Sequence, residues 1–191
     1  MLEPLHLDVA GLIRRGVDAP VRTSLELSRR TWLHQLAPGL AGTALLAGAT
    51  LLSSAIAGRA RDPDALSALG QALAVVVPAA TIVVSARVSR MPFGAWISSL
   101  SLGALHAGLV AALFVPLVLL LTFTAGRELA AHLGIRHLVP FVGCWAGLLV
   151  PSRALTTLDR SFLSKVVASG LSFFVLGLFL YRLSNMGGLF R

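Results

Sequence analysis

His106 is the side chain in this sequence that best combines acid–base chemistry with an apolar setting. It lies in GALHAGLV, inside a run without charge. Histidine changes charge near neutral pH, so at membrane depth it would suit a proton relay or a titrating pore. The plainer reading is a neutral imidazole bonded to a backbone group, or to a serine across a helix pair. No acidic partner stands in the apolar runs, and that favours the plainer reading.

Other reactive residue types are sparse. Cys144 is the single cysteine and sits in an apolar run, so it reads as a small buried hydrophobe. It allows no disulfide within the chain and no cysteine metal cluster. Ser53, Ser54, Ser85, Ser169 and Ser172 are the hydroxyls of the apolar runs, with Gln71 at an edge. In membrane helices such hydroxyls usually bond their own i−4 carbonyl. Gly170-Leu171-Ser172 is followed by Phe173 and Phe174 rather than by a closing glycine, so no nucleophile elbow is formed. HExxH, GxGxxG and the phosphate-cradling GxxxxGK[ST] are absent as well. The expectation is a chain that is not an enzyme, with no catalytic residues, no metal site and no cofactor.

Small residues, by contrast, recur at four-residue spacing. Gly103, Ala107 and Ala111 form one row, and Ala104, Gly108 and Ala112 the next. Gly143 and Gly147 make a GxxxG, and Ala44 with Gly48 a similar pair. Such rows let helices approach closely, where dispersion contacts replace the hydrophobic drive that lipid cannot supply. They serve packing within the chain or between subunits; packing within the chain is favoured.

The elements that carry these residues follow from composition. Of 191 residues 56% are hydrophobic and 13% charged, against roughly a quarter charged in soluble domains. The expectation is an all-α, polytopic transmembrane helical bundle. About twenty apolar residues suffice for one crossing. Five spans are expected, over about 37–58, 70–86, 103–123, 138–158 and 161–182, with a short tail at 184–191. Residues 91–123 are too long for one straight span, so 92–102 is assigned to an interfacial turn and short helix bearing Trp96, and the span at 103–123 is bent near Pro116. The fourth span is short, with Pro140 and Pro151 near its ends; it crosses, or it re-enters and leaves four crossings. No repeat of fixed period is evident.

Residues 1–36 form an amphipathic basic segment of two short helices. Leu2, Leu5, Val9, Leu12 and Ile13 repeat at helical spacing. Pro20 opens the second helix, with Val21, Leu25 and Trp32 on one face and Arg22, Glu26, Arg29 and Arg30 on the other. A basic amphipathic helix ending in tryptophan is expected to lie along the membrane surface, with Arg14, Arg15, Arg22, Arg29, Arg30 and Trp32 in contact with anionic headgroups. Packing on the bundle or on a partner is the alternative. No cleaved leader is expected; the first span serves as the insertion signal.

Net charge is +8, from 16 basic and 8 acidic residues. The cations fall between the apolar runs rather than in a basic stripe with interleaved aromatics, so nucleic acid is not the expected partner. Under the five-span assignment the N-terminal, second-loop and fourth-loop segments hold most of them. These include Arg14, Arg15, Arg22, Arg29, Arg30, Arg87, Arg90, Arg153, Arg160 and Lys165. The positive-inside rule then puts the N-terminus in the cytoplasm of a bacterial inner membrane.

Over 78–126, Pro78 with ATIVVSARVSR, the joint at Met91–Pro92–Phe93, and a span closing on Phe114-Val115-Pro116 and Leu117 to Leu121 resemble bacterial Yip1-like membrane proteins. The acidic and Gly-Tyr-Pro signatures of the eukaryotic Yip1 proteins are missing. The likeness implies a non-enzymatic multi-pass protein that organises lipids or partner proteins. Together these readings give a scaffold or accessory subunit of a membrane complex, whose partners are anionic lipid and other membrane proteins or copies of itself. A permease-like transport subunit or small channel is the alternative.

Overall fold

The computed structural model describes residues 18–56, 92–126 and 135–158, together with Gly11, Arg14, Arg15 and Gly177. Every element among them is an α-helix: α1 over Pro20–Ser28, α2 over Trp32–Ile56, α3 over Phe93–Ala125 and α4 over Ile135–Leu158. Helices α2 and α3 are long and apolar enough to cross a membrane; within α4 the apolar stretch is Leu138–Pro151. The expected span at 70–86 and the tail lie outside the described residues, as do the span at 161–182 apart from Gly177 and the helix expected around Leu2–Ile13 apart from Gly11.

Helix α1 starts where Pro20 occupies a first-turn position, a place where its missing N–H costs no bond. The Thr23 hydroxyl donates to the Arg15 and Ala19 carbonyls at 2.9 Å each. After Ser28 the chain turns through Arg29 and Arg30. The Gln35 amide closes that turn from the next helix, donating to the carbonyls of Ser28 (3.0 Å) and Arg30 (3.1 Å). Two carbonyls freed at a helix end are thereby satisfied. Trp32 opens α2, so it does not continue the face of Val21 and Leu25 as expected. The first span helix likewise begins five residues before position 37 and runs through Pro38 without a break.

The division of residues 91–123 is also corrected. Phe93–Ala125 is one helix of 33 residues, about 50 Å long at 1.5 Å per residue. Pro92 caps it in extended conformation (φ −65°, ψ 146°) and Pro116 lies inside it. Residues 92–102 continue into the same helix instead of forming an interfacial turn, and their Ser98, Ser99 and Ser101 are buried. Trp96 is only 4% exposed, covered by Val21 and Leu25 of α1. Helix α3 ends at Gly126, whose φ of 81° suits a residue without Cβ.

Contacts fix the directions. Moving along α2, Gly39 meets Ser101, then Gly42 meets Ala104 and Leu105, and Leu46 and Ala49 join a cluster with Ala107, Ala111 and Val118. Numbers rise together, so α2 and α3 are parallel. Along α4 the order is reversed: Gly143 meets Ala107 and Ala111, and Gly147 meets Gly103. Helix α4 is antiparallel to both. Helix α1 lies against the end of the bundle where α3 starts and α4 finishes, with Leu27 packed on Leu102 and Val150.

Candidate functional site

The two small-residue rows of α3 serve different neighbours. Gly103, Ala107 and Ala111 face α4: a Cβ on Gly103 would stand 2.7 Å from the Gly147 carbonyl oxygen, and one on Gly147 would stand 2.8 Å from that of Gly103. Gly143 would meet the Ala107 carbonyl at 2.8 Å and the Ala111 Cβ at 3.0 Å. Ala104 and Gly108 face α2, where Gly42 lies against the backbone of both. Ala112 is only partly buried. A further tie crosses between α2 and α3, where the Gly39 N–H donates to the Ser101 hydroxyl at 2.7 Å.

The pair Ala44 and Gly48 is not part of this packing. Both are exposed, and nothing among the described residues stands within 4 Å of a Cβ on Gly48. Helix α2 turns Gly42, Leu46, Ala49 and Ser53 inward; positions two residues further on fall on the opposite side of a 3.6-residue turn. Gly42 is the contact residue that the spacing argument missed. Its signal was Gly39-Leu40-Ala41-Gly42, a three-residue step rather than the four-residue step sought.

Helices α2 and α4 thus cover two adjoining sides of α3. On the side left over lie Ala95, Ser99, Leu102 and His106, stepping by three or four residues along one face. All four are buried. Their cover at the start of α3 is α1, through Leu27, Val21 and Leu25. His106 is 8% exposed. It lies about 20 Å from the start of α3 at 1.5 Å per residue, much deeper than a span beginning at Gly103 would put it.

The imidazole of His106 bonds through Nδ1 to the Leu102 carbonyl at 2.9 Å. A carbonyl only accepts, so Nδ1 is the donor in this contact. Nε2 is buried and has no hydrogen-bond partner. Several buried hydroxyls are satisfied locally: Thr50, Ser53, Ser98 and Thr122 each donate to the carbonyl four residues earlier. Four further polar atoms are not: Ser24 Oγ, Ser54 Oγ, Ser99 Oγ and Trp96 Nε1. Three of these belong to α1 or to the stretch of α3 beneath it. Buried polar atoms without partners are uncommon, because each forfeits about 1–3 kcal/mol of solvation. Among the described residues no three His, Cys, Asp or Glu side chains come together as a metal site.

The cations of the N-terminal segment are outward. Arg14, Arg15, Arg22, Arg29 and Arg30 are all exposed. Arg22 pairs with Glu26 at 2.9 Å and Arg14 with Asp18 at 3.7 Å, both at the surface, where such pairs contribute little. Trp32 is 67% exposed beside them, and Arg153 of α4 is exposed at the same end of the bundle. Comparison with protein-family models, with curated proteins and with solved structures finds no match to this chain.

Proposed function

We propose that this chain is a five-span membrane protein that acts as a non-enzymatic scaffold or accessory subunit in a membrane complex. The parallel pairing of α2 and α3 supports the span count. Ile56 and Phe93 lie at opposite ends of that pair, in keeping with a further span at 70–86 between them. Exposed arginines of α1, its flanks and α4 share one end, which supports a cytoplasmic N-terminus on anionic lipid. The hydropathy likeness to Yip1-like proteins fits the same picture.

The observation that carries the scaffold reading is the outward face of α2. Leu40, Ala44, Leu45, Gly48, Leu51 and Leu52 are exposed there, while the small residues of α3 are already used within the chain. The face is apolar and, at Ala44 and Gly48, flat enough to admit another helix. Purification in mild detergent tests it. A stable assembly is expected, weakened by Ala44→Leu or Gly48→Leu with the helical content unchanged. A strictly monomeric wild-type particle without partner overturns it.

His106 favours a second reading, a permease-like subunit or small channel. Transport sites lie near the midplane of the bilayer, and a buried imidazole nitrogen without a partner is suited to that depth. Flux into liposomes that disappears with His106→Ala supports this reading, and flux unchanged by it rejects that role.

A further inference from the structure

A groove of about 610 Å³ runs along α1, a size typical of small-ligand sites. Its charged lining is Asp18, Arg22, Glu26 and Arg29, and its apolar lining includes Val21 and Leu25. The charges alternate in sign at steps of four, four and three residues, so they share one face of the helix. All four are exposed. Arg22 is paired with Glu26 at 2.9 Å, and Asp18 stands 3.7 Å from Arg14. Among the described residues Arg29 takes part in no ion pair. Exposed pairs of this kind contribute little, so a ligand can exchange with them at small cost.

The depth of the groove follows from α3. Its 33 residues extend about 50 Å, against about 30 Å for the hydrocarbon core of a bilayer. The run from Leu109 to Leu121 carries no polar side chain, whereas Ser98, Ser99 and Ser101 stand near the start. The surplus length therefore falls at the start of α3, at the level of the headgroups. Helix α1 is seated there, with Val21 and Leu25 packed against Ala95 and Trp96 yet only partly buried. Trp32, 67% exposed at the opening of α2, suits the same level.

We infer that this groove binds a phospholipid with an ethanolamine headgroup. The phosphate pairs with Arg29, the ammonium pairs with Glu26, and the glycerol end of the acyl chains rests on Val21 and Leu25. Glu26 and Arg29 are three residues apart, which puts their Cβ atoms about 5–6 Å from each other. That spacing matches a phosphate and an ammonium joined by two carbons. The guanidinium fork fits phosphate oxygens, and a primary ammonium brings three N–H donors to the carboxylate. A choline headgroup brings none. With two cations and two carboxylates the groove is balanced, so it selects a zwitterion; attraction to net negative charge is left to Arg14, Arg15 and Arg30 around it. The inference rests on the membrane-embedded bundle with α1 at its headgroup level, and on neither partner assembly nor flux.

Lipid retention by the full-length protein in mild detergent tests it. Phosphatidylethanolamine, phosphatidylcholine and phosphatidylglycerol with identical acyl chains are offered separately, and bound lipid is counted by native mass spectrometry. The ethanolamine lipid should be retained about fivefold better than the choline lipid, the upper end for an exposed charge pair. Glu26→Gln should abolish that preference without lowering retention of phosphatidylglycerol, which has no ammonium. Arg29→Gln should lower retention of the ethanolamine lipid by a similar factor. Glycerophosphoethanolamine, which has the headgroup and no acyl chains, should not displace the lipid at equal concentration. The inference is overturned if ethanolamine and choline lipids are retained alike, or if either substitution leaves the preference intact. It is also overturned if Glu26→Gln lowers phosphatidylglycerol as much as phosphatidylethanolamine, or if the deacylated compound competes equally. Each of these results defeats the headgroup site alone, whereas a chain that stays dispersed without detergent defeats the membrane reading beneath it.

Discussion

Gly103 and Gly147 approach so closely that neither position has room for a Cβ: each would carry it to within 2.8 Å of the other's carbonyl oxygen. The contact joins the backbones of α3 and α4, so relief requires the helices to separate. Gly103→Ala or Gly147→Ala should therefore cost about 1–3 kcal/mol, the usual penalty of overfilling a packed site. Gly42→Ala should cost at least as much, because its Cβ would overlap the Ala104 carbonyl and the Leu105 Cα. Gly48→Ala faces open space and should be neutral in a monomeric particle. Thermal unfolding of the four variants in one detergent ranks them, and equal loss at Gly48 and Gly42 contradicts the α2 register.

Trp96 separates the continuous α3 from an interfacial helix. Among the three tryptophans, Trp32 and Trp145 are exposed at 67% and 48% while Trp96 is 4% exposed. In variants that keep one tryptophan each, aqueous acrylamide should quench Trp32 strongly and Trp96 weakly, although both lie near one end of the bundle. Lipid-borne quenchers should reach Trp145. Strong aqueous quenching of Trp96 would mean that α1 does not cover the start of α3.

The direction of the helices gives a topology prediction. Because α2 and α3 are parallel and α4 returns, Gly126 and residues 18–31 lie at opposite ends of the bundle. Reporter peptides inserted after Gly126, where the backbone already turns (φ 81°), and before Asp18 should be labelled from opposite sides of sealed vesicles of uniform orientation. Labelling of both from the same side contradicts the parallel pair.

Apolar composition makes the helical class legible, and the rows at Gly103–Ala111 and Ala104–Ala112 point at close packing before any coordinates. The sequence carries less information on three points. Hydropathy has no sense of where a helix begins, so it leaves Trp32 and Phe93 in surface segments although they open long helices. Serine is as compatible with a buried face as with an interface; Ser98, Ser99 and Ser101 became interior only once α1 and α2 lay on them. The partner of each row depends on helix direction, which spacing within one helix does not encode. His106 stands out because ionisable groups are rare in apolar runs, whereas its ring orientation depends on the carbonyl of Leu102, a local contact that every helix position offers and few side chains take.

Removing the His106 ring tests whether its bond to α3 holds the bundle together. If the imidazole served only to tie down α3, its loss would destabilise the bundle. Its one bond, however, is to the Leu102 carbonyl on its own helix, while Nε2 remains buried and unbonded. His106→Leu replaces both with apolar volume, and exchange of an incompletely satisfied polar group for an apolar one is nearly neutral or stabilising. The variant should unfold within about 1 kcal/mol of wild type, or above it. Ser101→Ala makes the contrast, since it strips the acceptor from the Gly39 N–H between two helices and should cost about 0.5–2 kcal/mol. Unfolding of both variants in detergent decides the matter: a His106→Leu loss exceeding that of Ser101→Ala would assign the histidine a structural role.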